Sequence, residues 1–137
     1  MKIVSACLAG INCSYDGSSR PCSKVIALVK AGKAIPVCPE QLGGLSTPRT
    51  EAQCKDGRVI TIDGDDVTEQ FNKGVEEALK VVKMAQCDSA ILKVRSPSCG
   101  NGKIYDGTFT KTLIDGDGLF AQLLKKEGIT IETEEEM

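Results

Sequence analysis

Short apolar runs alternate with longer amphipathic stretches along the chain, which is the pattern of an α/β protein. The nearly continuous apolar run at residues 2–8 predicts a strand buried on both faces. Similar runs predict strands at 34–37 and 89–95, and a final strand is expected at 129–132. Residues 58–62 alternate between apolar and polar side chains, so they predict a short strand that pairs at an edge or forms a hairpin.

Three amphipathic segments predict the helices. The first begins at Ser23 as the N-cap and closes at Gly32. The longest begins at Asp66, where Glu69 resembles the second half of a capping box, and the last helix spans residues 119–126. The apolar positions of the longest helix recur with the 3.6-residue period: Val67, Phe71, Val75, Ala78, Leu79 and Val82.

The order of these elements predicts the fold class. Strands alternate with helices, which indicates an α/β fold with a mostly parallel sheet in three layers, Rossmann-like or flavodoxin-like. Residues 41–57 and the glycine-rich stretch that ends at Gly118 are expected to be loops. Residues 1–137 are expected to form a single domain, with a solvated, disordered acidic tail at 133–137.

Composition narrows the class of function. The chain carries a formal net charge of −2 without a basic block, which argues against a nucleic-acid surface. It holds three Phe, two Tyr and no Trp, too few aromatic rings for base-stacking platforms. No segment reaches the length of a membrane span and no export signal is recognisable, so a cytoplasmic protein is expected.

Seven cysteines and no histidine set the available chemistry. The number of cysteines is odd, and in a reducing compartment clustered thiols indicate metal, cluster or redox chemistry more often than disulfides. The lack of histidine excludes His-based triads, His metal ligands and an imidazole base. Chemistry therefore depends on Cys, Glu, Asp, Ser and Lys side chains.

Three of the cysteines follow predicted strands. Cys7, Cys38 and Cys99 lie at carboxyl ends, where open α/β sheets bind ligands, so their thiols are expected to converge. A structural zinc site would need four ligands, usually in close Cys-x-x-Cys pairs, and the chain has no such pair. A 4Fe–4S cube tolerates dispersed ligands, and three cysteines leave one iron open as a Lewis acid. The alternative is that each buried thiol is a small apolar side chain.

Other side chains near these cysteines are candidates for a site. Glu40 follows Cys38 by two residues and could act as a general acid or base, although a solvated loop Glu is the alternative. Ser96 precedes the Pro-Ser-Cys turn and could orient a substrate or merely cap the turn. Arg49 could hold an anion or pair with Glu40 or Glu51.

Weaker predictions concern other cysteines and a tripeptide that occurs twice. Cys13 is close enough to Cys7 to support it or to resolve it in a disulfide, whereas Cys54 and Cys87 are expected to be incidental. The sequence Tyr-Asp-Gly occurs at 15–17 and again at 105–107. Both copies predict turns, and the alternative is that a Tyr-Asp pair contributes to a substrate pocket.

Six motifs occur in the order found in a known family. The chain resembles the small single-domain bacterial and archaeal family that includes the thiouracil desulfidases, over nearly its whole length. The motifs are Ser5-Ala6-Cys7-Leu8, Tyr15-Asp16-Gly17, Val37-Cys38-Pro39-Glu40, Gly43-Gly44-Leu45, Thr47-Pro48-Arg49 and Arg95-Ser96-Pro97-Ser98-Cys99-Gly100. One departure follows Arg49, where residues 50–53 read Thr-Glu-Ala-Gln and many members have Pro-Pro-Ala-Glu. That departure alters the loop beside the expected pocket.

The resemblance implies an oxygen-sensitive 4Fe–4S cluster bound by Cys7, Cys38 and Cys99. Its open iron would take the sulfur of a thiolated nucleobase such as 2-thiouracil while water replaces that sulfur on the ring, in a non-redox desulfuration. Glu40 and Ser96 would handle protons and position the substrate. The implied partner is a small thiolated heterocycle, with no nucleic-acid polymer and no membrane.

Two other classes of function stay open at this point. One is a non-catalytic carrier of a cluster, a metal or sulfur that delivers its load to a partner. The other is a thiol-redox protein that uses Cys7 and Cys13, which predicts activity in iron-free protein.

Overall fold

A computed structural model describes residues 1–137 and places four parallel strands in one central sheet. The strands are β1 (Lys2–Ser5), β2 (Ala34–Val37), β3 (Ala52–Lys55), β4 (Arg58–Thr61), β5 (Ser89–Leu92), β6 (Lys103–Tyr105), β7 (Leu113–Asp115) and β8 (Thr130–Thr133). The helices are α1 (Ser23–Lys30), α2 (Pro39–Leu42), α3 (Thr68–Met84) and α4 (Leu119–Lys126), with 3-10 helices at Ala6–Ala9 and Glu134–Glu136. The sheet order is β2-β1-β5-β8.

The sheet is covered on both faces, so the fold has three layers. On one face Ile3 and Leu92 pack with Phe120 and with the buried side of α3. On the other face Val4 and Ile91 pack with Val25 of α1. Neighbouring residues of β1 and of β5 point to opposite faces of the sheet. Because both faces are covered, both strands have consecutive apolar residues. The predicted α/β fold with a central parallel sheet is confirmed.

Two antiparallel hairpins lie outside the central sheet. The predicted strand at 58–62 forms β4 and pairs with β3, and β6 pairs with β7. The expectation of loops over 41–57 and up to Gly118 was therefore wrong in part. The buried Gln53 of β3 shows the reason, because its Oε1 accepts the N–H groups of Gly107 and Phe109 at 3.1 and 3.2 Å. A polar strand that is fixed by side-chain hydrogen bonds leaves no hydrophobic signal.

Two predicted strand ends and one predicted helix cap were also wrong. The first strand ends at Ser5, and a 3-10 helix carries the chain onward from there. The third strand ends at Leu92 rather than at residue 95. The capping box at α3 is absent, because the Asp66 carboxylate accepts the Thr68 N–H at 2.9 Å without any reciprocal bond from Glu69.

The acidic tail is ordered, contrary to expectation. Residues Glu134–Glu136 form a 3-10 helix in which Thr133 and Glu136 make a capping box. Met137 packs against the core on the α1 side of the sheet. Reciprocal capping and this apolar contact hold a segment whose charge alone suggested a solvated tail. None of the helices is long and apolar enough to cross a membrane.

Candidate active site

One cavity of about 300 Å³ lies at the carboxyl ends of the parallel strands. All five side chains predicted from the sequence line it, so the structure brings together Cys7, Cys38, Cys99, Glu40 and Ser96. Their convergence follows from the sheet order, because β1, β2 and β5 are neighbours that run in the same direction.

Each cysteine reaches the cavity by a different local structure. Cys38 directly follows β2 and occupies the N-cap position of α2. Cys7 lies in the 3-10 helix after β1. Cys99 ends the segment Arg95–Cys99, here called the serine loop, in which the Ser96 hydroxyl accepts the N–H groups of Ser98 and Cys99 at 3.1 and 3.0 Å. Two backbone donors on one hydroxyl fix the turn that presents the Cys99 thiol.

Close packing of α2 against α3 holds Glu40 and Cys38 in place. A Cβ atom at Gly74 of α3 would lie 1.8 Å from the Pro39 carbonyl oxygen, and one at Gly43 would lie 2.0 Å from the Gln70 carbonyl oxygen. Only glycine allows two backbones to approach so closely. The short helix that carries Glu40 is therefore pressed against the longest helix of the protein.

Three thiols line one side of the cavity, here called the thiol wall (Cys7, Cys13 and Cys38). The buried Cys13 thiol hydrogen-bonds to the sulfurs of Cys7 and Cys38. These bonds lower the pKa of Cys7, and with the Gln41 N–H they lower the pKa of Cys38 to about 7. The same bonds to Cys38 and Cys7 raise the pKa of Cys13. Cys13 thus donates to the other two sulfurs, and the Cys38 thiol, when protonated, can donate to the Cys13 carbonyl at 3.9 Å.

Cys99 lines the same cavity and is buried. It is 4% exposed, and burial raises its pKa. The Ser98 hydroxyl lies within hydrogen-bonding distance of the Cys99 sulfur, at 3.8 Å. Without a metal, Cys99 is a neutral thiol at pH 7.

A hydrogen-bond network joins the two sides of the cavity. Arg49 donates from Nε to Glu40 Oε1 at 3.1 Å and from its terminal nitrogen to the Cys13 carbonyl at 2.8 Å. The Ser98 hydroxyl donates to Glu40 Oε2 at 2.9 Å and lies 3.0 Å from the Ser96 hydroxyl. The Arg49 and Glu40 side chains are only 8% and 15% exposed, so this ion pair is largely shielded from solvent.

The structure adds residues that sequence reasoning missed or left open. Ser98 is the principal omission, since it is 1% exposed and connects Glu40 to Ser96. Its setting resembles that of any serine in a turn, and its only signal was its place in the motif that ends in Cys99-Gly100. Of the two partners left open for Arg49, the structure selects Glu40.

The structure also shows where the residues with weaker expectations lie. The Cys54 thiol contacts the Pro97 carbonyl at 3.5 Å, and burial together with the Glu40 charge raises its pKa to about 11. Cys87 packs in the core beside α3. Tyr15 and Tyr105, the first residues of the two Tyr-Asp-Gly echoes, both line the cavity.

The donors in the cavity suit an iron–sulfur cluster better than a single ion. No three Cys, Asp or Glu side chains are arranged so that they could hold one metal ion. A 4Fe–4S cube is larger, and its ligand sulfurs stand farther apart than those around one ion. All seven cysteines are free thiols, and thiolate is the ligand that such clusters use. Cys7, Cys38 and Cys99 therefore suit a cluster by donor type and by their placement around one cavity.

The fold and the cavity define a small cysteine-lined α/β enzyme domain. The family model described as 2-thiouracil desulfurase matches residues 3–136, so the chain belongs to the 2-thiouracil desulfurase family. It is 42% identical to the uncharacterized protein YbbK of Bacillus subtilis (strain 168), over 100% of this chain and 97% of that protein. It is also similar to a solved structure, the [4Fe-4S]-dependent thiouracil desulfidase TudS. The identity is 41% and the TM-score 0.93, covering 98% of this chain and 91% of that one. The predicted resemblance and the predicted class of enzyme, a desulfidase, are confirmed.

Proposed function

We propose that the protein is a 4Fe–4S-dependent, non-redox desulfidase that replaces the sulfur of a thiolated pyrimidine such as 2-thiouracil with oxygen from water. One observation carries the proposal: thiols from three neighbouring strand ends share a cavity with a shielded carboxylate. The family match and the 4Fe–4S dependence of the similar desulfidase support it. Cys7, Cys38 and Cys99 would hold the cluster.

The cluster, when bound, would supply an open thiophilic iron that acts as a Lewis acid toward the departing sulfur. The protein has to supply the proton transfers. Glu40 is the base that takes a proton from the attacking water, since its carboxylate is directed into the cavity on α2. Arg49 fixes the orientation of that carboxylate through Oε1 and leaves Oε2 for Ser98 and the proton.

The two serines extend this proton path. The Ser98 hydroxyl donates its hydrogen bond to Glu40. In the contact between the two serine hydroxyls, Ser96 is therefore the donor and Ser98 the acceptor. Ser96 already accepts two backbone N–H groups, which leaves its hydroxyl free only to donate. A substrate oxygen or ring nitrogen that displaces the Ser98 contact would receive this hydrogen bond. Tyr15 and Tyr105 provide aromatic walls for the planar ring.

The first test is anaerobic purification, followed by measurement of iron, acid-labile sulfide and visible absorption. About four irons and four sulfides per chain are expected, with broad absorption that bleaches in air. Release of hydrosulfide from 2-thiouracil should then accompany formation of uracil. Glu40→Gln should keep the iron and lose about 10²–10⁴-fold in rate, because it removes the base while keeping the shape of the side chain. Little iron or sulfide after anaerobic reconstitution would overturn the proposal.

A thiol-redox function is the second candidate, because the Cys13 thiol contacts Cys7. It predicts dithiol–disulfide activity in iron-free protein that Cys13→Ser abolishes. Under the desulfidase proposal, the iron-free protein has no activity toward thiolated bases, and Cys13→Ser keeps its iron.

A further inference from the structure

We propose that the C-terminal 3-10 helix is part of the active site, with Glu134 as a positioning residue. It holds the chain entering the serine loop and directs the ammonium group of Lys93 to the cavity wall. This inference rests on the proposed function for its consequence in the reaction, but its structural part can be tested without it.

The first contact of Glu134 is with the backbone. Its Oε1 accepts the N–H of Val94 at 2.9 Å, and Val94 immediately precedes the serine loop. The next residue, Arg95, has a φ of 61°, a left-handed conformation that costs a non-glycine residue energy. The N–H of Lys93 donates to the Ser5 hydroxyl at 3.0 Å. The amides of Lys93 and Val94 are thus held by Ser5 and by Glu134, just before the strained backbone of Arg95.

The second contact of Glu134 is with a charge. The Lys93 Nζ lies 3.2 Å from Oε2 of Glu134, and the two side chains are only 25% and 16% exposed. Lys93 also lines the cavity. An ammonium held there stabilises negative charge that collects in the cavity, both on thiolate ligands and on sulfur that leaves as sulfide. The Glu134 carboxylate therefore holds the backbone before the serine loop with Oε1 and the Lys93 ammonium with Oε2.

The tail can act in this way because it is fixed at both ends. Thr133 is 5% exposed and pairs with Leu92 at the end of the sheet, and its N–H donates to Glu136 Oε1 at 2.8 Å. At the other end, Met137 packs against the core on the α1 side of the sheet. Glu134 is thereby held in a short turn between two anchors.

Glu135 provides a matched control within the same turn. It pairs with Arg95 at 3.3 Å, but the two side chains are 58% and 38% exposed. Exposed pairs of this kind contribute little to stability. Glu135→Gln therefore removes the same charge from the same helix without touching Val94 or Lys93.

The test measures amide hydrogen exchange at Val94 in the full chain, both as purified without oxygen and after iron removal. Glu134→Ala should raise that exchange at least about tenfold, because the amide loses its acceptor. Glu134→Gln keeps an acceptor oxygen and should stay close to the unmodified protein, as should Glu135→Gln. If Glu134→Ala does not fold, Glu134→Asp replaces it, since its shorter side chain withdraws from the amide. Exchange at Val94 that is equal in all variants would overturn the loop contact.

A second measurement tests the charge contact. In cluster-loaded protein, absorption should decay several-fold faster under a chelator for Lys93→Met and for Glu134→Gln than for Glu135→Gln. Equal decay would overturn the charge contact. Failure of the proposed function would show itself differently, as protein that binds no cluster while the exchange difference at Val94 persists.

Discussion

The two sides of the cavity are prepared for opposite tasks. On the thiol wall, Cys7 and Cys38 receive hydrogen bonds from Cys13, and the pKa of each is lowered. On the serine loop, Cys99 is buried and its pKa is raised. The same loop points the Ser98 hydroxyl at Glu40. The first side favours anionic sulfur, whereas the second side is organised to hold and move protons.

This difference in pKa indicates which thiols would lose their protons easily when a cluster binds and which would not. Metal binding releases the proton of each thiol that becomes a ligand. Cys38, with a pKa of about 7, gives up its proton at little cost, whereas burial makes ionisation of Cys99 costly until a metal is present. Arg49 joins the two sides, since it contacts both Glu40 and the Cys13 carbonyl.

Replacing the proposed ligand thiols should have the largest effect on this division between the two sides. Cys99→Ser and Cys38→Ser are expected to lose bound iron and fall to background activity. Cys13→Ser should keep its iron and lose at most about 10–100-fold in activity, because it supports the ligands from outside. Iron and sulfide content after anaerobic reconstitution distinguishes the two classes. An iron-free Cys13→Ser protein would show that Cys13 is itself a ligand.

Removing Arg49 should break the hydrogen bonds that connect Glu40 to the thiol wall and lower the stability of the protein. Arg49→Met leaves the shielded Glu40 carboxylate without its charge partner, so the free energy of unfolding should fall by about 3 kcal/mol. Arg49→Lys keeps the charge but cannot reach both Glu40 and the Cys13 carbonyl, so it should recover only part of the loss. Denaturant unfolding measures both variants. Arg20→Met, which removes an exposed pair with Asp16, is the control and should change stability by less than about 1 kcal/mol.

Deleting the Ser98 hydroxyl should break the link between the serine loop and Glu40. Ser98→Ala leaves Glu40 Oε2 without its donor and should lower the free energy of unfolding by about 1–3 kcal/mol. It also breaks the path from Glu40 to Ser96, so the desulfidation rate should fall about 10²-fold while iron content stays constant. Ser46→Ala removes an exposed hydroxyl and serves as the control. An unchanged rate for Ser98→Ala would remove the serines from the proton path.

The fold and the convergence of the site could be predicted because both depend on the buried sheet. Continuous apolar runs identified the strands, and the rule for carboxyl ends then brought Cys7, Cys38 and Cys99 to one cavity. Each of these inferences used hydrophobic burial, which the sequence pattern encodes directly. The same reasoning assigned α4 its observed bounds, Leu119–Lys126.

The rest depends on directed polar contacts, which leave no periodic signal. Ser98, the Gln53 side chain and the Glu134 carboxylate each act through hydrogen bonds to residues about 40 or more positions away. The acidic tail shows this most clearly. Its charge predicts solvation, yet Glu134 lies against Val94 and Lys93 because β8 ends beside β5. Such contacts become visible only when the strand order is known.

The pH dependence of alkylation should show the smallest but most direct difference between the thiols. In iron-free protein, the rate of iodoacetamide labelling follows the thiolate fraction, so it rises with pH through each pKa. Labelling of Cys38 should reach its half-maximum near pH 7, whereas Cys54 should remain slow until the pH approaches 11. Cys13→Ala removes the donor that favours the Cys38 thiolate, so the Cys38 midpoint should move up toward the ordinary value of about 8.5 while Cys54 stays fixed. Mass spectrometry of the labelled peptides measures each site separately. A Cys38 midpoint that does not move would mean that Cys13 does not set the charge of the thiol wall.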